Sequence, residues 1–276
     1  MATDKINLSA AVRANLLSLQ GAASSIDLTQ RRLATGLKVN SAVDDAAAYF
    51  TARALDNRAS DLNALKSNID LSVSTIQAAL DGIDAITDLV EQAKGIASSA
   101  KITGDTSERS TLAVQFNELL SQIDSIANDS TFNGMNLLKA SPDDLQVTFN
   151  EDNTSNLTIT GLDSTTATSG INIAAAANNF GLTANIDTAL TAISSAMTTL
   201  RTNASTLGSN NTVLKTRLNF TENLVNTLGE GSGKLTLADL NEESANLLAL
   251  QTRQQLGLNS LALASQSERA ILSLFG

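Results

Sequence analysis

The stretch "QRRLATGLKVNSAVDDAAAYF", Gln30–Phe50, carries a helical rhythm up to Gly36, breaks it over the Lys38–Ser41 run, and resumes after two adjacent aspartates with a run of alanines. Glycine tolerates backbone angles that other residues resist. Gly36 and Lys38–Ser41 are therefore predicted to let the chain leave one helix and enter a second at a new angle. Asp44 and Asp45 then stand at the start of the second helix, where the dipole and unpaired N–H groups favour negative charge. A cation site on the same two carboxylates is the competing reading. Neighbours on a helix point about 100° apart, so the pair does not converge on one ion unaided.

Outward from this break the apolar spacing is that of helix seams. Val12, Leu16, Leu19, Ala23, Ile26, Gln30, Leu33 and Leu37 fall at alternating steps of four and three, a heptad pattern with one polar member. Beyond the break, Leu55, Leu62, Ile69, Ile76, Ile83, Val90 and Ala97 repeat every seven residues, with Ala59, Val73 and Leu80 in several alternate positions. A helix over 55–97 would run ~60 Å, whereas a compact globule of this chain length is roughly 45–50 Å across, which predicts a rod. A third helix carries Leu112, Phe116, Leu119, Ile123 and Ile126. A fourth carries Ile186, Leu190, Ile193, Met197, Leu200, Ala204, Leu207, polar Asn211, Leu214, Leu218, Thr221, Val225 and Leu228. Three such stripes can close one apolar bundle.

Between the third and fourth helices, "TFNGMNLL" holds a turn signal at Asn133-Gly134, and "LQVTFN", "LTITG" and "INIA" read as short strands. The last helix places Leu240, Leu247, Leu250, Leu258, Leu261, Leu272 and Phe275 on a three/four grid, with Ser265 and Glu268 as polar members. A seam near each terminus predicts that the two terminal helices pair with each other. "LGEGSGKLT", residues 228–236, reads as a flexible glycine linker before the last helix. The expected fold is mainly α: an elongated helical bundle, paired terminal coiled-coil helices and a small β-hairpin region. Its expected division is residues 1–44 with 235–276 as the terminal coiled-coil domain, and 45–234 as the bundle, with the β-region about 131–182.

Composition narrows the chemistry. The 276 residues include no cysteine and no histidine, which removes thiolate nucleophiles, disulfides, imidazole bases and most zinc sites. Apolar residues make up 42% but aromatic residues only 3%, so Leu, Ile, Val and Ala carry the packing, as suits helix–helix seams. The single proline agrees, since proline breaks helix interiors. A net charge of −10 argues against nucleic acid and fits an acidic, soluble surface. No apolar run approaches the ~20 residues that span a bilayer, and "MATDKINLSA" lacks the pattern of a cleaved signal peptide. "GEGSGK" fails as a phosphate loop: Leu228 and Leu235 stand where Gly and Ser or Thr are required, and a helix precedes it instead of a strand. Asn-x-Ser/Thr triplets such as Asn153-Thr154-Ser155 are expected by chance in a chain this rich in those residues. No catalytic, cofactor or metal constellation remains, and the chain reads as a structural protein and not an enzyme.

At this point the residues match a family. "RRLATGLKVNSAVDDAA" resembles the R-L-S-S-G-L-R-I-N-S-A-K-D-D-A-A signature of bacterial flagellins, with Arg32, Leu33, Gly36, Leu37, Asn40, Ser41, Ala42, Asp44, Asp45, Ala46 and Ala47 agreeing in type and spacing. "TFNGMNLL" is similar to the family's T-x-F-N-G-x-x-L-L, and "RQQLGLNSLALASQSERAILSLFG" to its ending. Glu268 stands where the family ending has proline, and Phe275-Gly276 replaces its Leu-Arg. The resemblance implies a near-minimal subunit without large outer domains, whose paired terminal helices form the inner tube of the flagellar filament. The connecting segment, with Arg32, Gly36, Asn40, Ser41, Asp44 and Asp45, is implied to touch neighbouring subunits. The terminal seam is Val12, Leu16, Leu19, Ile26, Leu33, Leu37, Leu247, Leu250, Leu258, Leu261 and Leu272.

Free terminal helices cannot bury their stripes alone and are expected to fold on joining the growing tip. A head-to-tail, non-closing contact then gives an open tube. The implied partners are copies of the chain itself, the hook-associated junction and cap proteins, an export chaperone and the type III export apparatus. The implied location is the extracellular filament, reached without a cleaved signal peptide; nucleic acid and membrane are not expected partners. Leu89 and Ala93 stand where receptor-stimulating flagellins carry arginine and leucine, which implies weak recognition by the Toll-like receptor that senses flagellin. A hook–filament junction protein shares the terminal helices, but that family tends to carry Lys after the signature Gly and Pro after the Asp pair. Leu37, Ala46 and Ala47 favour flagellin. A flagellin with an inserted metalloprotease needs histidines that this chain lacks, and a generic coiled-coil adaptor predicts dimers without filaments.

Overall fold

The computed structural model describes residues 10–275, with the side chains of Ala11 and of residues 268–275 left undescribed. Leu272, expected in the terminal seam, therefore lies outside the described side chains, as do Glu268 and Phe275. Among the described residues the fold is mainly α. Helix α1 spans Ala10–Thr35, α2 Ala46–Ile102, α3 Thr106–Asp129, α4 Thr183–Thr236 and α5 Leu240–Phe275, with strands β1 Leu145–Thr148 and β2 Asn156–Ile159 between α3 and α4. The chain divides into two compact units, Met1–Asn57 with Leu228–Gly276 and Arg58–Thr227.

Helix boundaries follow from local chemistry. Asp105 caps α3 by accepting the Ser107 N–H at 2.8 Å. Asp45 accepts the Ala48 N–H at 3.0 Å at the start of α2, and Asp239 accepts the Asn241 N–H at 2.9 Å at the start of α5. The reading of the aspartate pair as a helix start thus holds for Asp45. Helix α1 stops at Gly36, whose φ of 71° closes the last turn with its N–H on the Arg32 carbonyl at 2.8 Å.

Within the unit Arg58–Thr227, the stripes of α2, α3 and α4 meet in one core. Ile69, Ile76, Ile83, Val90 and Ala97 of α2 are buried as their seven-residue repeat predicts. The positions between them are rotated by one residue from expectation. Ala79 is buried where Leu80 was expected. On α3, Ala113, Leu120 and Ala127 replace Leu112, Leu119 and Ile126. On α4, Ala189, Ala196 and Asn203 replace Leu190, Met197 and Ala204. The displaced larger residues pack half-buried along the flanks of the core. Small residues at the centre of a seam let helices approach, and the large side chains then close its sides. Gly82 makes the same point: a Cβ there would meet Leu138 Cδ1 at 2.9 Å.

The region after α3 packs on this core. Phe132 and Met135 exchange backbone hydrogen bonds at 3.0 Å around Asn133 and Gly134, whose φ values are 50° and 81°, the hairpin turn that Asn-Gly signals. Strands β1 and β2 pair antiparallel, Leu145 opposite Ile159 and Val147 opposite Leu157, with Leu145, Val147 and Ile159 turned inward. "INIA" is not a strand. Ile171 and Ile173 are buried from a loop whose N–H groups bond to the Thr165 and Thr166 carbonyls.

The glycine linker is also corrected: residues 228–236 continue α4 as helix. Each helical glycine costs roughly 1 kcal/mol relative to alanine. Burial of Leu228 and Ser232 on one face offsets that cost, so packing overrides propensity here.

Candidate functional site

The expected site residues lie in the unit formed by Met1–Asn57 and Leu228–Gly276, apart from Leu89 and Ala93. Helices α1 and α5 pair with each other. Arg32 meets Glu243, and a Cβ at Gly257 would stand 2.8 Å from Leu19 Cδ2. Residue numbers fall on α5 as they rise on α1, so the pair is antiparallel, with Ile26 at the level of Leu250. Val12, Ile26 and Leu250 are buried; Leu19, Leu33, Leu247 and Leu261 are half-buried. Two expected seam members are not in it. Leu16 is 40% exposed, and half-buried Asn15 takes its place; Leu258 is 54% exposed beside half-buried Gly257. As in the bundle, the seam runs through short side chains (Asn15, Ala22 and Thr29) and pushes larger ones outward.

Large apolar side chains therefore remain open on the outer faces of the paired helices. Leu17 on α1 and Leu248, Leu256, Leu258 and Leu263 on α5 are all more than half exposed. Among the described residues nothing in the subunit covers these side chains.

The connecting segment after α1 is held against the connection from α4 to α5. Lys38 and Val39 donate their N–H groups to the Thr236 carbonyl at 2.8 and 3.3 Å, and Ala238 donates to the Gly36 carbonyl at 3.0 Å. Leu37, expected as the last seam residue, instead forms an antiparallel bridge with Leu237. The Lys38 ammonium donates to the Lys234 carbonyl at 3.2 Å, where α4 has run out of internal donors. Both helix-to-helix connections are thus tied into one backbone clasp. Beside it the Arg32 guanidinium donates to Glu243 Oε1 at 2.9 Å. Glu243 is buried, and among the described residues its Oε2 and the Arg32 Nε have no hydrogen-bond partner.

Asn40, Ser41 and Asp44 form a tight turn before α2. Asp44 Oδ2 accepts the Ser41 N–H at 2.9 Å, the Ser41 hydroxyl at 3.0 Å and the Asn40 N–H at 3.1 Å. The Ser41 hydroxyl, then these two backbone donors, hold the Asp44 carboxyl below its ordinary value, with the Arg31 charge adding to the effect. A depressed carboxyl stabilises the turn at pH above the ordinary aspartate value of 3.8 and loses that contribution as pH falls through the lower folded value. The protection factors of the Asn40 and Ser41 amides, taken against intrinsic exchange at each pH, are expected to fall on acidification through that window in the native protein. In an Asp44→Asn variant the same amides should show low protection factors at every pH. Equal protection in the two proteins at neutral pH would rule this out.

Leu89 and Ala93 lie elsewhere, on α2. Ala93 is fully buried in the small-residue stripe, and Leu89 packs half-buried at its edge. Ala93 presents no surface to a receptor in this fold. Glu243 and Gly257 escaped the sequence reading, as did the bonding of Lys38 and Thr236 to each other's connections. The one signal for Gly257 was its place in the three/four series 243, 247, 250, 254, 257 and 261, which a search for large apolar residues passes over. Among the described residues no helix is long and apolar enough to cross a membrane, and no acidic group is arranged to hold a metal ion.

Comparison with known proteins agrees with this architecture. Residues 6–143 match the bacterial flagellin N-terminal helical region, and residues 190–275 the bacterial flagellin C-terminal helical region. The flagellin FljK of Caulobacter vibrioides is 36% identical over 282 positions, covering all of both chains. A flagellin of Brucella melitensis is 30% identical over 275 positions, covering 94% of this chain and 96% of that one. A crystal structure of Bacillus cereus flagellin aligns with 56% of this chain and 88% of its own at 20% identity, with a TM-score of 0.49. With both terminal helical regions matched and full-length relatives of this similarity, the chain belongs to the bacterial flagellin family.

Proposed function

We propose that this flagellin, a subunit of the flagellar filament, polymerises head-to-tail by burying the apolar surface of its paired terminal helices against neighbouring copies. The observation that carries the reading is the set of leucines left exposed on both helices. Leu17 is 72% exposed, Leu248 and Leu263 66% each, and Leu256 62%, although α1 and α5 are already paired. Large apolar side chains left open on the outer faces of both helices favour burial against further copies. Residues 1–44 with 235–276 then form the inner tube and 45–234 the surrounding layer. The terminal seam holds the pair, and the clasp around Arg32, Gly36, Asn40, Ser41, Asp44 and Asp45 sets the path between the layers. Hook-associated junction and cap proteins, an export chaperone and the type III apparatus are its partners, and the filament is extracellular. The role is structural, with no enzymatic activity, in keeping with a chain that has neither histidine nor cysteine.

Electron microscopy of purified protein after seeding tests the reading. Full-length chain is expected to give filaments, and chain trimmed at both ends is expected to give none. Full-length filaments from the trimmed chain would overturn it, and stable dimers without filaments would favour an adaptor. Recognition by the flagellin-sensing receptor is proposed to be weak, in keeping with the absence of an arginine at Leu89 and the burial of Ala93. A full reporter-cell response to purified monomer would refute that.

A further inference from the structure

We propose that the bundle opens first through one arm, residues 58–80 of α2 with 208–227 of α4 and the hairpin β1–β2 that covers them, while the end covered by α3 stays folded. The inference concerns the free subunit and goes beyond polymerisation. Lys66 pairs with Glu222 and Lys101 with Asp187, so α2 and α4 run antiparallel in one register. Helix α3 accompanies them only as far as Gly82, where a Cβ on the glycine would run into Ser130, the residue after α3. Beyond that level the third layer is the two-stranded hairpin, whose tip reaches Arg58 and Arg217. A two-stranded hairpin is marginal by itself. Its tip is held by the Arg58–Glu151 ion pair at 2.8 Å and by the Arg217 guanidinium, 4.9 Å from the Phe149 ring centroid. Both arginines are exposed, and such contacts are weak at a surface.

The core changes character at the same level. Over 83–100 of α2, along α3 and over 186–200 of α4, every buried residue among those described is apolar. Phe116 and Phe180 add an edge-to-face ring contact at that end, with centroids 5.3 Å apart. In the arm, by contrast, Ser72, Thr75, Asn211 and Thr221 are buried among the leucines and isoleucines. Asn211 is the weak point. It is 7% exposed, and among the described residues its Oδ1 has no hydrogen-bond partner. The register brings Asn211 level with Gln77, which shares a turn with Thr75. The buried hydroxyls of that stretch are spent on their own helix: Ser72 donates to the Asn68 carbonyl at 2.8 Å and Thr75 to the Leu71 carbonyl at 3.0 Å. A buried acceptor without a partner costs the folded state its hydration, and opening the arm restores it. Regions poorer in buried apolar contact open below the free energy of global unfolding.

Native-state hydrogen exchange on the full-length free chain tests this, with Asn211→Leu and Glu151→Gln beside the unmodified protein. Amides of residues 66–79 and 208–221 are expected to share one opening. After correction for intrinsic rates they should exchange about tenfold faster, or more, than those of 86–97 and 189–200. Asn211→Leu removes the unpaired acceptor and should slow exchange in the arm on the order of tenfold, leaving the α3-covered end unchanged. Glu151→Gln frees the hairpin tip and should quicken exchange in the arm about threefold, again without effect on the other end. Equal protection at the two ends of the bundle, or an Asn211→Leu chain in which both ends slow by the same factor, would overturn the proposal. So would faster exchange in the arm of Asn211→Leu, since the acceptor would then be satisfied in the folded state.

Discussion

Subunits carrying Arg32→Met are expected to polymerise only at concentrations about 30- to 150-fold above those the unmodified chain needs. The Glu243 side chain is 11% exposed and receives one charged donor, from Arg32 at 2.9 Å. Removing that donor leaves a carboxylate at the root of the α1–α5 pair with neither oxygen satisfied by a charged partner. Stranding one member of a buried ion pair costs about 3–5 kcal/mol. The Arg32 side chain is 33% exposed, so solvent screens part of the interaction, and about 2–3 kcal/mol is the reasonable expectation. Each 1.4 kcal/mol is tenfold in an association constant, which gives the stated range. Glu243 Oε2 and Arg32 Nε are already without partners, so the pair is an imperfect one. Replacing both residues, as Arg32→Met with Glu243→Leu, should therefore recover most of the loss. Critical concentration measured by sedimentation for the two single variants and the double variant closes the cycle. A double variant no better than Arg32→Met would show that the charge left behind is not the cause. A single variant that assembles like the native chain would remove the pair from the mechanism.

The terminal pair illustrates what periodicity can and cannot locate. Val12, Leu19, Ile26 and Leu33 were legible because a seven-residue spacing survives any small rotation of the helix. The intervening positions were not, because a reading that seeks the largest apolar side chain selects Leu16 over Asn15 and Leu258 over Gly257. A helix seam is decided by how closely two backbones can approach, and there short side chains win. The same preference displaced Leu80 by Ala79, Leu112 by Ala113 and Met197 by Ala196. The end of α4 failed for a related reason. Gly229, Gly231 and Gly233 predict a linker only if burial is ignored, and Leu228 just before them and Ser232 among them are buried. Nothing local announced Glu243 either. An acid in the first turn of a helix is ordinary, and only the partner 211 positions away gives it meaning. Asp45 and the Asn133-Gly134 turn succeeded because their causes, a cap and a left-handed backbone, are contained within a few residues.

Asn136 is the residue whose loss should most damage the bundle unit, and sequence reasoning saw it only as part of a familiar motif. Its side-chain amide donates to the Ala127 and Asn128 carbonyls at 2.9 and 2.8 Å, satisfying the end of α3. Its Oδ1 accepts the Leu138 and Lys139 N–H groups at 2.7 and 3.0 Å. Its own N–H bonds to Asp143 Oδ2 at 2.9 Å; the Lys139 ammonium and this N–H hold the Asp143 carboxyl below its ordinary value. The residue is buried, so water cannot replace these bonds. Asn136→Ala strands several buried polar groups at about 1–3 kcal/mol each, though the loop will relax around some of them. A net loss of roughly 3–5 kcal/mol, or on the order of 10 °C in melting temperature, is expected. Asn136→Asp tests the donor half alone. It keeps an acceptor for Leu138 and Lys139 but turns oxygens toward two carbonyls, with the Asp143 carboxylate nearby. At neutral pH it should be as damaging as alanine. It should recover partly in acid, where a protonated carboxyl can again donate one hydrogen bond. Asn128→Ala, on the exposed side of the same turn, should stay within about 0.5 kcal/mol of the native chain. Thermal melts of the three variants followed by far-UV circular dichroism decide the matter. If Asn136→Asp melts like the native chain at neutral pH, the amide does not bind α3 to the hairpin, and the buried leucines after it, Leu137 and Leu138, must do so alone.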